Sequence, residues 1–330
     1  MKDTPPSETS KAKIIEEVIE EQRYNQTHQE ANITELKNVL KNQKIVLFLG
    51  AGVSCDYGIP GWDALLKKLF SDEEVFNIQT EALWEIMKES IIKDKLNDSL
   101  QQGRIIELKC GSEAKFKELV RKHLYSNYQP NNDETNLNTL DLLIDNFFLS
   151  KKVESVVTFN FDDLLEKKLT NQQIDCRTIH NESNFSSLKA GEMPVFHPHG
   201  FLPFNPLIGV ESEKYSIVFS ETAYHKTYSD THSWSNLIQL SKLTNYTCIF
   251  MGISLSDPNM RRLLDSAKKI SPKHHHHYIL TTKTKKGSDD LNVMIDGIFS
   301  EYAESLNVKT IYYEGYKQLL KDFLINLNTF

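Results

Sequence analysis

Short apolar runs alternate with helical patterns along the chain, and this alternation limits the fold more than any other feature of the sequence. Runs such as "KIVLFLG", "ESVVTFN" and "YTCIFMGIS" are brief, apolar and rich in β-branched or aromatic residues, as strands buried on both faces are. Further strands are predicted at "PVFHPHG", "SIVFS", "HHYILTT" and "VKTIYYEG". Because helical patterns separate most of these runs, the sequence predicts an α/β fold with a doubly wound, mainly parallel sheet. In such sheets ligands collect at the carboxyl ends of the strands.

Two parts of the chain show helical spacing only. Residues 62–150 carry patterns such as "WDALLKKLF", "EALWEIMKESIIKDKL" and "EAKFKELVRKHLY", and the segment before the first strand carries "KAKIIEEVIEEQRY" and "ITELKNVLKNQ". We therefore expect an N-terminal helical segment over residues 1–43. A sheet domain is expected over 44–330, with a helical insertion over 62–150.

Composition and charge exclude several classes of protein. The 330 residues are 39% hydrophobic and 25% charged, which is ordinary for a soluble globular protein. A formal net charge of -7 repels phosphate backbones, and the basic residues between 261 and 286 are typical of a solvated face. Direct binding of nucleic acid is therefore not expected.

The cysteines and the N-terminus point to a cytoplasmic protein without a structural metal. The four cysteines are single residues without a CxxC pair, so neither a zinc site nor a disulfide framework is indicated. The first residues lack the apolar stretch of a signal peptide, and no run approaches the roughly 18 apolar residues of a membrane helix. We expect no contact with a membrane.

The stretch "VLFLGAGVSCDYG" ends an apolar run in a glycine-rich turn. A strand that ends at Gly50 and a short helix that starts near Val53 would point free N–H groups at an anion, such as a pyrophosphate. The dinucleotide fingerprint G-x-G-x-x-G fails, because Cys55 occupies the third glycine position, and the P-loop pattern fails as well. A tight turn without a ligand stays an open alternative.

Three further predicted strands end in polar or glycine-containing stretches. "TFNFDD" places Asn160 and Asp162 before a helix that either residue could cap. "HPHG" leaves His199 at a strand end, as a proton acceptor or as a hydrogen-bonded structural histidine. "GISLSD" is a turn that could clasp a ribose or a second anion, before a helix that Asp257 could cap. All four stretches would face one edge of a parallel sheet, which favours a shared site.

The pair His197 and His199 raises a metal site as a rival interpretation. The two imidazoles would share a strand face if the backbone stayed extended across Pro198. A catalytic metal needs at least three protein ligands, and no further spaced His/Asp set is evident. We expect no metal.

The stretches "GAGVS", "TFNFD", "HG" and "GISLSD", in this order, resemble the motifs of the sirtuin-related superfamily. The wording "TFNFDDLLE" with "GISLSDPNMRRLL" is most similar to bacterial SIR2-like proteins of antiphage defence, and the resemblance covers about residues 44–285. It implies a Rossmann-like domain that binds NAD as its substrate. The residues implied are Gly50, Ala51, Gly52 and Ser54 at the pyrophosphate, Asn160 and Asp162 near the nicotinamide ribose, His199 as the base, Gly252 and Ser254 around the adenosine, and Gly200 among the nucleotide-binding positions.

One departure separates the chain from the deacylase branch of that superfamily. That branch carries a four-cysteine zinc module between the "HG" and "GxS" motifs, whereas here only Cys248 lies near that interval. The resemblance therefore implies no zinc, and it puts an acyl-lysine tunnel in doubt.

The implied activity is that of an NAD glycohydrolase, which releases nicotinamide and ADP-ribose and would deplete cellular NAD during phage infection. Asn160 could hold ribose hydroxyls or water, and neutral His199 could take a proton. The alternatives are an NAD-dependent deacylase or ADP-ribosyltransferase, and a non-catalytic nucleotide-binding subunit partnered with a HerA-type ATPase. A homo-oligomer is expected by the same analogy.

Overall fold

A computed structural model describes residues 28–76, 80–87, 98–129, 138–206, 215–271 and 276–314. Within these ranges one seven-stranded sheet forms the centre of the fold, in the order β3-β4-β2-β1-β5-β6-β7, and every neighbouring pair is parallel. The strands are β1 (Ile45–Leu49), β2 (Val153–Thr158), β3 (Cys176–Ile179), β4 (Met193–Phe196), β5 (Cys248–Met251), β6 (His277–Thr282) and β7 (Val308–Tyr313).

Helices connect these strands and cover the sheet. They are α1 (28–42), α2 (Trp62–Ser71), α3 (Glu81–Met87), α4 (Ser99–Cys110), α5 (Glu113–Leu124), α6 (Thr139–Leu143), α7 (Leu164–Asn171), α8 (Glu221–Tyr228), α9 (Trp234–Asn245), α10 (Pro258–Ile270) and α11 (Asp289–Ser305). A π-helical turn over Ile144–Phe148 continues α6. The predicted fold is confirmed: a Rossmann-like α/β fold with a parallel sheet and, between β1 and β2, a helical insertion.

Strand β1 explains why the sheet is covered on both faces. All five of its residues are at most 1% exposed. Ile45, Leu47 and Leu49 belong to the core on one face, and Val46 and Phe48 to the core on the other, because successive side chains of a strand point to opposite faces. Each such side chain contributes roughly 1.5–3 kcal/mol by leaving water.

The strand order places a crevice beside β1. The chain goes from β1 to its neighbour β2 on one side, and it later enters β5 on the other side of β1. This reversal is the topological switch point at which doubly wound sheets bind ligands, outside the carboxyl ends of the strands.

One predicted strand does not form, and one strand that does form was not predicted. The run "SIVFS" forms only one isolated bridge, between Ile217 and Gly200. It is apolar because Phe219 packs under the insertion, against Trp62 and Phe116. Conversely, the edge strand β3 was missed, because its "CRTI" sequence is polar and only Ile179 is buried.

Some predictions lie outside the described residues, namely the helix at 11–24 and the parts of the insertion at 88–97 and 130–137. The division of the chain at residues 43 and 44 stays a prediction. Across the described ranges, no helix has both the length and the apolar character needed to cross a membrane.

Candidate functional site

The four predicted stretches meet around one cavity of about 440 Å³ at the carboxyl ends of β1, β2 and β5. Both candidate catalytic residues, Asn160 and His199, line it. The predicted binding residues that also line it are Gly50, Ala51, Gly52, Asp162, Gly252 and Ser254. Ser54 and Gly200 do not line it, and their predicted binding roles stay predictions.

The glycine turn after β1 packs directly on the turn after β5. A Cβ atom at Gly50 would lie 2.4 Å from the carbonyl oxygen of Gly252, and one at Gly252 would lie 2.9 Å from that of Gly50. Gly252 also has a φ of +68°, which side chains rarely adopt. These two glycines lack side chains because the two turns need the space for each other.

The backbone amides of the turn are mostly used within the protein. Gly50 donates to Met251 O at 3.0 Å and Gly52 to Gly252 O at 3.3 Å, while the next two amides donate back into the turn. The prediction that this turn points several free N–H groups at an anion is therefore wrong. Among the described residues none accepts a hydrogen bond from the Ala51 amide, which leaves one donor for an anion. Residues 51–53 form a single 3-10 turn, too short to act as a helix N-terminus.

Ser54 lies beneath the cavity and links two of the predicted site residues. It is 1% exposed; its Oγ accepts from Asn160 Nδ2 at 3.1 Å and donates to Asp162 Oδ1 at 3.4 Å. Ser54 therefore orients the Asn160 amide. The other end of that amide, Oδ1, is buried and has no hydrogen-bond partner.

The buried side chain of His197 contacts the backbone of Asn160. The Nδ1 atom of His197 is 3.0 Å from the Asn160 carbonyl oxygen, and its Nε2 atom is 2.7 Å from Glu166 Oε1. The Asn160 carbonyl oxygen only accepts hydrogen bonds, and an ionised Glu166 does the same, so beside an ionised Glu166 the imidazole carries a proton on each nitrogen. Burial alone lowers the pKa of His197, but the charge of Glu166 and the hydrogen bonds to Glu166 and Asn160 O raise it overall.

The metal interpretation rested on a wrong premise. The backbone turns at Pro198, since Gly200 N donates to His197 O at 3.0 Å. His197 is consequently 0% exposed in the core, while His199 lines the cavity. No group of three or more His, Cys, Asp or Glu side chains in the described ranges is arranged to hold a metal ion.

Gly200 is the residue that allows the backbone to turn after His199. Its φ is +98°, and a Cβ atom there would lie 1.8 Å from Ser216 O. The residue allows the chain after His199 to pass close to the segment at 216–218, whose Val218 N donates to His199 O.

His199 is fixed by three neighbours. Its ring makes edge contacts with Phe159 and Tyr228, at centroid distances of 4.7 and 5.8 Å. Its Nε2 is 3.5 Å from Asp257 Oδ2, is buried and makes no aligned hydrogen bond. Asp257 lines the same cavity, although the sequence indicated only a helix cap.

Two carboxylates at the site differ in ionisation. Burial is the main cause that raises the pKa of Asp162 to about 6, and the charges of Glu166 and Asp163 act in the same direction. For Asp257 burial also raises the pKa, but the nearby imidazole of His199, with hydrogen bonds from the α10 amide and Tyr224, lowers it to about 2. Asp162 Oδ1 accepts from Leu164 N at 3.1 Å, although the N-cap residue of α7 is Asp163 and not Asn160 or Asp162.

One wall of the cavity is apolar and was not predicted. It includes Ile59, Leu65, Leu124 and Phe161 together with Trp62. The segment "GIPGW", which follows the glycine turn, was the available signal. The buried Nε1 of Trp62 has no hydrogen-bond partner.

A second cavity of about 810 Å³ adjoins the first. The residues that line both are Trp62, His199, Ser254, Ser256 and Asp257. The start of α4, at Asp98–Leu100, and Tyr224 of α8 add polar groups to the second cavity.

The fold is of the doubly wound, Rossmann-like class, whose members bind ligands in the crevice outside the carboxyl ends of the strands. Residues 154–311, from β2 into β7, match the family model of the SIR2-like domain, which supports a SIR2-like domain in this chain. A Sir2 homologue mutant solved with ADP-ribose is 13% identical, with a TM-score of 0.45, over 89% of this chain and 96% of that chain. A Sir2 homologue solved with NAD is 11% identical, with a TM-score of 0.44, over 89% and 93%. No curated protein matches the chain.

Proposed function

We propose that this chain binds NAD in the 440 Å³ cavity and hydrolyses it to nicotinamide and ADP-ribose. The observation that carries the proposal is that Asn160 and His199 line one cavity in which Asn160 Oδ1 is buried and makes no hydrogen bond. Buried polar atoms without partners are rare in folded proteins, and a catalytic role is one of the reasons for which they occur. The match to the SIR2-like domain supports the same class of substrate.

The two walls of the cavity suit the two ends of the scissile bond. The turns at 50–52 and 252–254 provide backbone and hydroxyl groups for the phosphates and riboses, and the Ala51 amide is a backbone donor of the first turn. The apolar wall around Trp62 suits the flat nicotinamide ring. This cavity of about 440 Å³ and the adjoining one of about 810 Å³ are each in the range of small-molecule sites.

In the proposed reaction the bond between ribose C1′ and the nicotinamide nitrogen breaks, and its electron pair goes to that nitrogen. Positive charge develops on the ribose, as in glycoside hydrolysis. Asn160 Oδ1 accepts a hydrogen bond from a ribose hydroxyl or from the attacking water. The water oxygen forms the new bond to C1′, and His199 takes the proton that the water loses. Nicotinamide, ADP-ribose and one proton are the products.

A mass-balance assay tests the proposal. The protein is incubated with NAD, with and without an acylated peptide, and nicotinamide, ADP-ribose and acyl-ADP-ribose are measured. Asn160→Ala and His199→Ala should each lower the rate by about 10²–10⁴-fold. The surface variants Asn245→Ala and His232→Ala control for the loss of each residue type, since both positions are exposed.

The adjoining cavity favours a second candidate, transfer of ADP-ribose to an acceptor other than water. It opens beside His199 and Asp257, where an acceptor would be next to the reacting carbon. A product that forms only with the acylated peptide would select this candidate. Tight NAD binding without any product would select a non-catalytic nucleotide-binding subunit.

The cellular role proposed is depletion of NAD in antiphage defence. It rests on the resemblance of "TFNFDDLLE" and "GISLSDPNMRRLL" to SIR2-like defence proteins. Bacteria that express the chain should lose NAD after infection, and those that express His199→Ala should not. Assembly into a homo-oligomer or with a HerA-type ATPase stays a prediction, which light scattering of the chain with and without such a partner tests.

A further inference from the structure

We infer that Asp257 is a positioning residue for His199: its Oδ2 holds the Nε2–H edge of the imidazole, so that Nδ1 is the basic nitrogen presented to the cavity. The inference rests on the proposed function for its effect on turnover. The pairing itself can be tested without any reaction.

The two ring nitrogens of His199 face different surroundings: Nε2 faces Asp257, and Nδ1 is left for the cavity. Nε2 lies 3.5 Å from Asp257 Oδ2 and has no hydrogen-bond partner. The Nε2 atom is buried, whereas the side chain as a whole is 17% exposed, so the accessible part of the ring lies away from Nε2. Nδ1 is therefore the nitrogen left to accept a proton from a bound water or hydroxyl. Contacts of this kind are often long before substrate binds and shorten in the complex.

Asp257 is itself held rigidly. Its Oδ1 accepts from Asn259 N at 2.7 Å, Met260 N at 3.0 Å and Tyr224 OH at 3.0 Å. These bonds saturate one carboxylate oxygen and leave Oδ2 toward His199. Pro258 at the first position of α10 fixes the backbone of the cap, and the N-terminal end of that helix favours the negative charge.

The remaining neighbours of His199 carry no charge. Phe159, at the end of β2, and Tyr228, on α8, pack against the ring, and Tyr224 reaches it only through Asp257. Within the described residues Asp257 is the one charged group at ion-pair distance from His199. An anion at this position selects the Nε2–H tautomer of the neutral ring and stabilises the imidazolium that forms when Nδ1 takes a proton.

Substitution by asparagine separates this role from helix capping. The side chain introduced by Asp257→Asn would keep a carbonyl oxygen for the two amides and Tyr224, because asparagine is as good an N-cap as aspartate. The asparagine would turn its NH₂ group toward Nε2 of His199, and Nε2 would then have to accept a hydrogen bond. The ring proton would therefore sit on Nδ1, which could no longer act as the base. Asp257→Asn should therefore lower kcat by about 10²–10⁴-fold and leave Tm within a few degrees of the wild type.

The exposed pair Asp230 and His232 provides a matched control. Its Nδ1–Oδ1 distance is 3.9 Å, and its side chains are 63% and 87% exposed. Asp230→Asn removes the same charge beside a histidine far more accessible to solvent. It should leave turnover and the tautomer of His199 unchanged.

The tautomer of His199, read from ¹⁵N NMR shifts of the ligand-free protein, decides the inference independently of NAD cleavage. The wild type should show the Nε2–H tautomer, and Asp257→Asn should show the Nδ1–H tautomer. An unchanged tautomer in Asp257→Asn, or an Nδ1–H tautomer in the wild type, overturns the inference. The wild-type tautomer needs no variant, so it decides even if Asp257→Asn fails to fold. If NAD is not cleaved but the tautomers are as expected, the proposed function fails and the pairing stands.

Discussion

Asn160 Nδ2 donates a hydrogen bond to the buried Ser54 hydroxyl at 3.1 Å. This bond joins the polar end of β2 to the turn after β1, and it turns the amide so that Oδ1 is the atom without a partner. The orientation of a candidate catalytic amide thus depends on a side chain that does not line the cavity.

Ser54→Ala should lower both stability and turnover. It leaves Nδ2 of Asn160 without its acceptor, which costs about 1–3 kcal/mol in the free energy of unfolding, and it frees the amide to rotate. We expect kcat for nicotinamide release to fall by about tenfold or more. Urea unfolding and the NAD assay measure the two effects. The exposed Ser183→Ala is the control, and wild-type turnover in Ser54→Ala would refute the positioning role.

The buried imidazolium of His197 should make stability depend on pH. Its pKa is raised in the folded protein above the unfolded value of about 6.5. The stabilisation is therefore fully present below about pH 6.5 and is lost as the pH rises through the folded pKa. The free energy of unfolding, measured in urea from pH 6 to 9, should fall more steeply for the wild type than for His197→Gln. Parallel curves would show that His197 is not held as the cation.

Asp162 should lower stability at neutral pH. Its pKa of about 6 in the fold, from an ordinary value of 3.8, means that the stability linked to its protonated form is present below about pH 4 and is lost as the pH rises to 6. The free energy of unfolding that is lost between these two pH values amounts to about 3 kcal/mol. Asp162→Asn, which keeps an acceptor for Leu164 N, should be more stable than the wild type at pH 7.5 and similar at pH 4. Equal stability at pH 7.5 would contradict the burial of a charged carboxylate.

Gly252→Ala should separate the two turns of the site. Gly252 and Gly191 both have positive φ, +68° and +93°, but only at Gly252 does a Cβ atom meet backbone, 2.9 Å from Gly50 O. Both alanine variants bear the cost of about 1 kcal/mol for the left-handed backbone, and Gly252→Ala adds the steric contact. It should unfold at lower urea and lose NAD cleavage, whereas Gly191→Ala should cleave normally. Equal unfolding midpoints would show that the packing of the turns has little energetic weight.

The fold and the position of the site could be predicted from local pattern. Buried parallel strands leave continuous apolar runs in the sequence, and their carboxyl ends must share one edge of the sheet, so polar residues after β1, β2 and β5 indicated a common cavity. Edge strand β3 was not predicted, because only Ile179 of its four residues is buried and the sequence therefore lacks an apolar run. The run "SIVFS" misled because burial under helices produces the same apolar composition as a strand.

The detail of the site could not be predicted, because it depends on contacts between distant segments. Whether the amides of the glycine turn are free depends on Gly252, which is about two hundred residues away along the chain and accepts one of their bonds. The pairing of Asp257 with His199 depends on where α10 begins relative to the turn at Pro198. Residue type at a strand end identifies candidates, and only the packed structure separates those that line the cavity from those that support it.

A crystal structure of the His199→Ala variant, in which turnover is suppressed, after soaking with NAD decides whether Asn160 and His199 share one substrate site. We expect the nicotinamide ribose in the 440 Å³ cavity, with a ribose hydroxyl or water within about 3.5 Å of Asn160 Oδ1 and C1′ facing the space left by the imidazole. NAD bound away from Asn160, or an empty cavity at saturating NAD, would contradict a shared site.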